Sequence, residues 1–146
     1  KNYSFINKNI AIGMQPSKLG LIILHTKGFR YILNLRSEYS YKKNFNKKFN
    51  ILQIPVKEYH DPTIKQLEKG ADYINKVLST NSKIYIHCRE GISRAPCFAI
   101  AYFIKYEGLK YNESYQIVLK VRYFSNLLPS QIDALLKFES YIKENY

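Results

Sequence analysis

The sequence predicts an α/β fold, a central and mostly parallel sheet flanked by helices, and three observations carry that prediction. Short β-branched and aromatic runs alternate with longer segments of helical period. Tyr31 to Leu35 is apolar on both faces, as a central parallel strand requires. The buried-strand pattern Lys83-Ile84-Tyr85-Ile86-His87 is followed, seven residues later, by Ala95 to Tyr106, a helical stretch that is apolar almost all round and so belongs inside the core.

Taken in order, residues 3–6 and 10–12 form two short strands around a turn at Asn7-Lys8-Asn9. Ser17, after Pro16, caps a helix that runs to Thr26 and stops at Gly28. The strand Tyr31 to Leu35 follows. The polar segment from Arg36 to Asn50 is the longest loop, and Ile51 to Pro55 is the next strand. Ile64, Leu67, Ala71, Ile74, Val77 and Leu78 share one helical face, which starts a helix near Thr63. After the strand ending at His87 and the helix ending near Tyr106, Gly108 is a stop. Asn112 to Val121 is amphipathic, with Tyr115, Val118, Leu119 and Arg122 on a mixed face. Ser130 is expected to cap a last helix whose Ile132, Leu135, Leu136, Phe138 and Ile142 pack inward. No repeat or low-complexity linker divides the chain, so residues 1–146 read as one domain.

At 146 residues the chain can bury a sizeable core, and its 46% hydrophobic and 23% charged content is that of a folded globular protein. The apolar run Ala95 to Ile104 is far short of the roughly 18 residues of a membrane span, and no signal-peptide pattern opens the sequence. Cys88 and Cys97 are too few for a disulfide framework and point to a reducing, cytoplasmic setting. Cys97, inside the apolar helix, reads as a small core residue. The net charge of +12 is uneven, since residues 1–60 hold eleven Lys and Arg against two acids. Tyr41 to Lys48 carries four lysines among aromatic residues. It is either a solvated lysine loop or a positive rim that steers an anionic substrate inward. No recognised module accompanies it, so nucleic-acid binding has weak support.

The chemistry concentrates in His87-Cys88-Arg89-Glu90-Gly91-Ile92-Ser93-Arg94, which must turn the chain from strand to helix. A strand-to-helix turn whose amides converge on one point is how proteins hold phosphate. Gly91 lets the turn close, and Pro96 is harmless in the first turn of the helix. A free thiol is mostly protonated at neutral pH, and converging amides, the helix dipole and the Arg94 guanidinium all favour the thiolate that a nucleophile requires. The Arg94 fork can also hold two oxygens of a phosphoryl group. His87 is expected to anchor the loop through hydrogen bonds and to carry no charge. No Cys, His and carboxylate cluster suggests a metal, and no cofactor is expected.

His-Cys followed by five residues and arginine resembles the signature of the cysteine-dependent protein tyrosine phosphatases, and the loop looks like the small dual-specificity branch. Ile32-Leu33-Asn34-Leu35 resembles that family's early core strand, Ile51 to Pro55 the strand leading to its acid loop, and Gly70-Ala71-Asp72-Tyr73-Ile74 the helix before its signature. The likeness covers nearly the whole chain. It implies a protein tyrosine phosphatase-like fold of dual-specificity type and a phosphocysteine intermediate on Cys88. Arg89, Glu90, Gly91, Ile92, Ser93 and Arg94 would bind the phosphate. On residue chemistry alone Asp61, ahead of Pro62, is a turn or capping residue. The resemblance makes it the first choice for the acid that protonates the leaving oxygen, with Glu58 and Asp72 as alternatives. A histidine beside it, His60, reads as a surface residue.

One departure bears on turnover. The family usually carries serine or threonine after the loop arginine, where its hydroxyl stabilises the departing thiolate, and this chain has Ala95. Ser93 would substitute only if its hydroxyl turned toward the sulfur. The expected activity is hydrolysis of phosphotyrosine and, in a shallow cleft, of phosphoserine and phosphothreonine in protein substrates. The rivals are a pseudophosphatase that captures phosphorylated partners with little turnover, and a phosphatase acting on phosphoinositide or RNA 5′-phosphate. Rhodanese-like sulfur transfer fits the His-Cys lead poorly.

Overall fold

A computed structural model describes residues 2–43 and 47–146. Among them are five strands and five helices: β1 (Tyr3–Phe5), β2 (Ile10–Gly13), α1 (Lys18–Thr26), β3 (Tyr31–Arg36), β4 (Asn50–Val56), α2 (Ile64–Ser79), β5 (Ile84–His87), α3 (Arg94–Tyr106), α4 (Tyr111–Val121) and α5 (Pro129–Asn145). The strands form one sheet in the order β1-β2-β5-β3-β4. β1 runs antiparallel to β2 and every other pairing is parallel, the mostly parallel sheet the sequence predicts.

Alternation along the strands sorts side chains between two layers. Ile10, Ile12, Leu33, Leu35, Ile84 and Ile86 face α2 to α5, while Ala11, Ile32 and Tyr85 face α1 through Leu21 and Leu24. α3 runs through the larger layer with every residue from Arg94 to Ile104 buried, which explains its all-round apolar sequence. Gly70 on α2 lies so close to the Phe98 ring that a side chain there would overlap it.

Local chemistry sets the boundaries. The Ser17 hydroxyl accepts from the Gly20 amide at the start of α1, and Thr63 and Gln66 form a reciprocal capping box on α2. Gly28 and Gly108 end helices at positive φ. The last helix differs from expectation: Pro129 occupies its first turn, Leu128 is the capping residue, and the Gln131 side chain accepts from the Leu128 amide. Ser130 therefore lies inside the helix. Leu136 is 47% exposed and does not pack inward. No helix among the described residues is long and apolar enough to cross a membrane.

Candidate active site

In a parallel sheet the strand ends that release the chain into helices gather on one edge, and this is where a site forms. β5 ends at His87, α3 begins at Arg94, and the intervening residues wrap around Cys88. Gly91 sits at φ 70°, with the Gly13 backbone where a side chain would be. A substituted residue there would both strain the backbone and push the loop off β2.

Five consecutive loop carbonyls are each held by a donor outside the loop. Cys88 O pairs with His87 Nδ1 at 3.1 Å. Arg89 O accepts from Gln15 N at 3.0 Å and Ile92 O from Asn126 N at 2.9 Å. Glu90 O and Gly91 O both accept from Arg122, at 3.0 and 2.7 Å. In a planar trans peptide the carbonyl and the following amide point opposite ways. The amides of residues 89 to 93 therefore face the inside of the loop, toward the Cys88 sulfur, and Gly91 N donates to that sulfur at 3.2 Å. This is the nest geometry that binds anions.

Arg94 is 2% exposed. Its Nη1 donates to Val56 O at 2.8 Å and to Glu38 Oε1 at 2.9 Å, and its Nη2 donates to Glu38 Oε2 at 2.9 Å. Three of the five guanidinium N–H groups are thereby engaged among the described residues. The Nε–H and the second Nη2–H, which share the opposite edge of the fork, are left for two oxygens of a ligand. Burial opposes the Arg94 charge, but Glu38 and Cys88 outweigh it and hold its pKa above the ordinary guanidinium value. The Arg94 hydrogen bonds pull Glu38 down to about 2.

Glu38 begins a chain of contacts that ends at His87, beside Cys88. Arg36 pairs with Glu38 at 2.9 Å and donates to Gln15 Oε1 at 3.1 Å. Gln15 Nε2 donates to Tyr41 Oη at 3.2 Å, and Tyr41 Oη lies 2.9 Å from His87 Nε2. Cys88 O can only accept, so His87 carries its proton on Nδ1 and Nε2 accepts from Tyr41. Burial holds His87 down at about 4, so it is neutral at pH 7. Gln53 straps the Arg36–Tyr41 segment to β4 by donating to Arg36 O at 2.7 Å and Tyr39 O at 3.0 Å.

A cleft of about 210 Å³ opens over the sulfur, lined by Glu58, Tyr59, Glu90, Ile92, Ser93, Arg94, Asn126 and Leu128 besides Cys88. Five of the seven loop residues, Cys88, Glu90, Ile92, Ser93 and Arg94, thus line the cleft, while Arg89 pairs with Glu58 at 3.2 Å and with Glu90 at 3.0 Å. Asp61 is exposed and lies outside the cleft lining. Asp72 is bound by Lys105 and the Tyr106 hydroxyl at 2.7 and 2.6 Å. Glu58 is the carboxylate of the 57–63 loop that faces the sulfur's cleft. Ala95 is fully buried, and neither it nor Ser93 gives the sulfur a hydroxyl among the described residues.

Part of the lysine segment lies away from the cleft. Lys47 and Lys48 border a cavity of about 440 Å³ with Arg30, Tyr31 and Asn50 at the starting ends of β3 and β4, opposite the cleft, so they do not form its rim. Asn44, Phe45 and Asn46 of that segment lie outside the described residues. The sequence reading missed Glu38, Gln15 and Tyr41, and it placed Arg122 on a helix face without a task. Signals in the sequence could have found Glu38 and Arg122. Glu38 and Glu58 are the only acids among the first 60 residues, and Arg122 falls on the inward spacing of α4.

The dual specificity phosphatase catalytic-domain family matches residues 10–141. Human dual specificity protein phosphatase 16 is 29% identical over 136 residues, 92% of this chain. The chain spans 20% of that protein's length. Human phosphatidylglycerophosphatase and protein-tyrosine phosphatase 1 is 24% identical over 149 residues, 96% of this chain and 74% of that protein. The crystal structure of PTPMT1 in complex with PI(5)P superposes with a TM-score of 0.92 at 24% identity, covering 99% of this chain and 98% of that one, a likeness of fold.

Proposed function

The chain belongs to the dual specificity phosphatase catalytic-domain family, and from that premise we propose that residues 1–146 form one catalytic domain that hydrolyses phosphorylated protein through a phosphocysteine intermediate. Phosphotyrosine is the proposed first substrate, with phosphoserine and phosphothreonine accepted in the same cleft. The observation that carries the reading is the row of outward carbonyls from Cys88 to Ile92, which leaves inward amides around a sulfur at the cleft floor.

In the proposed first step the Cys88 sulfur attacks phosphorus while the loop amides and the open edge of Arg94 hold the three outer oxygens. Glu58 protonates the leaving oxygen. This revises the sequence expectation for Asp61, because Glu58 lines the cleft with Cys88 and Asp61 does not. Water then attacks the phosphocysteine with Glu58 as base, and phosphate leaves. Glu38 acts through Arg94 as a positioning residue. The pseudophosphatase reading loses ground because nucleophile, guanidinium and carboxylate share one cleft. Both cysteines are free and buried, in keeping with a reducing, cytoplasmic setting.

Arg89 is paired with Glu90 at 3.0 Å, so the cleft has little cation to spare for a second phosphate, which favours a simple monoester over a phosphoinositide. The relatives named above put a lipid phosphate in the same panel nonetheless. The test is turnover of phosphotyrosine and phosphothreonine peptides, a phosphoinositide and an RNA 5′-phosphate by wild type and Cys88→Ser. Peptide turnover lost in Cys88→Ser supports the proposal; peptide turnover that survives Cys88→Ser, or turnover of the lipid alone, rejects it.

A further inference from the structure

α1 is a helix with apolar residues on both sides, and only one side is covered. Leu21 and Leu24 are buried against the sheet, while Leu19, Ile22 and Ile23 are 65%, 61% and 38% exposed. These three fall at i, i+3 and i+4, so they form one outward stripe. Helices that are apolar all round are normally enclosed on every side, and contiguous exposed apolar surface marks an interaction site. Shallow grooves of about 190 and 290 Å³ flank the stripe, one shared by Leu19 and Ile23 with Tyr3, the other by Ile22 with Lys18 and Lys48.

The surroundings say what fits there. Residues 1–37 contain no Asp or Glu. Lys18 opens the helix, Lys27 caps it and lies over the Phe5 ring at 5.6 Å, and Arg30 Nη1 donates to His25 O at 2.8 Å. None of Lys18, Lys27, Arg30 and Lys48 is in an ion pair among the described residues. Exposed apolar side chains amid uncompensated cations complement a surface that is anionic outside and apolar beneath. We propose that the outer face of α1 docks on an anionic lipid surface, with Leu19, Ile22 and Ile23 entering the acyl boundary and the four cations at the headgroups. A second copy of the chain is disfavoured, because pairing two such faces opposes like charges within a Debye length of about 8 Å. Gln15, shortly before α1, donates its amide to Arg89 O, so docking keeps the catalytic loop close to the surface. The proposal does not depend on the catalytic reading.

The test is co-sedimentation with phosphatidylcholine vesicles that contain or lack phosphatidylserine. It uses wild type, the triple variant Leu19→Gln, Ile22→Gln, Ile23→Gln, and the charge variant Lys18→Glu, Lys48→Glu. All three substituted apolar side chains are exposed, so helical content and turnover of a soluble aryl phosphate should match wild type. The expected result is wild-type binding to the anionic vesicles alone, weakened by added salt, and at least about tenfold weaker in either variant. Absence of wild-type binding, equal binding to neutral vesicles, or undiminished binding by the triple variant overturns the proposal. So does a wild-type dimer in sedimentation that the triple variant abolishes, since a second copy would then be the occupant.

Discussion

The two loops that meet at the cleft are built in opposite ways. In the loop from Cys88 to Arg94 the carbonyls of residues 88 to 92 are each held by a partner outside it, from His87, Gln15, Arg122 and Asn126, and Arg94 is held by Glu38. The loop from Lys57 to Thr63 is mostly exposed, with Tyr59 at φ 67° and 68% exposed. Its ties to the fixed parts are few, among them Gln131 Nε2 to His60 O at 3.3 Å and the Arg89 pair with Glu58 at 3.2 Å. Anion binding needs donors already in place, since reorganising them during reaction would forfeit their advantage. Proton delivery to leaving groups of different shape tolerates a looser arm. On the proposed mechanism, rigidity and looseness are divided between capture and protonation.

The division can be broken at its strongest point first. Cys88→Ser removes the nucleophile but leaves the nest, so turnover should fall by at least about 10³-fold while phosphopeptide binding persists. Titration calorimetry beside a turnover assay reads both; loss of binding together with turnover would mean that the sulfur shapes the loop.

Beneath the fixed loop, His87 must stay neutral. Its folded pKa of about 4 lies below the ordinary 6.5, so between those values the unfolded chain binds a proton that the folded chain refuses. Stability from this site is complete above pH 6.5 and is lost as pH falls toward 4, by about 3 kcal/mol in all. Urea unfolding across that window should show this slope in wild type and lose it in His87→Gln. An unchanged slope would place the proton elsewhere.

Glu38→Gln tests the strap on Arg94. The amide keeps the shape but loses one acceptor and the charge, at a cost of about 1–3 kcal/mol because Arg94 is buried while Glu38 is partly exposed. The loss should appear in kcat/KM and in thermal stability together. A variant that lost neither would show that Arg94 is held by Val56 O alone.

The smallest expected effect lies at the edge of the loop. Ala95→Ser offers the sulfur a hydroxyl that the native chain lacks, and turnover should rise a few-fold as the burst amplitude falls, with capture unchanged. Identical burst kinetics would make the missing hydroxyl irrelevant here.

The fixed loop was legible in the sequence because its chemistry is local. Cys88, Gly91 and Arg94 sit within one turn, and the flanking apolar strand and helix allow one way to join them. What holds the loop was hidden, because Glu38, Tyr41 and Arg122 reach it from segments between 30 and 60 residues away. A polar stretch such as Arg36 to Asn50 shows no periodicity that would betray such contacts. The acid proposed on the 57–63 loop was hidden for a related reason. Asp61 beside Pro62 has the better local credentials, but which carboxylate faces the sulfur depends on how the chain leaves β4, and Glu58 is two residues from the end of that strand. At the last helix, proline chemistry took the first turn and displaced the expected Ser130 cap.

The central claim, that a fixed loop performs the attack while Glu58 on the open loop supplies the proton, is tested most directly by leaving-group dependence. Single-turnover rates of phosphocysteine formation should be measured across aryl phosphates of rising phenol pKa for wild type, Glu58→Gln and Asp61→Asn. General acid catalysis is worth about 10²–10⁴-fold where the leaving group needs a proton. Glu58→Gln should therefore fall about 10²-fold or more on the poorest leaving groups and little on the best, while Asp61→Asn tracks wild type throughout. A steep dependence in Asp61→Asn with Glu58→Gln tracking wild type would return the acid to Asp61 and contradict the account.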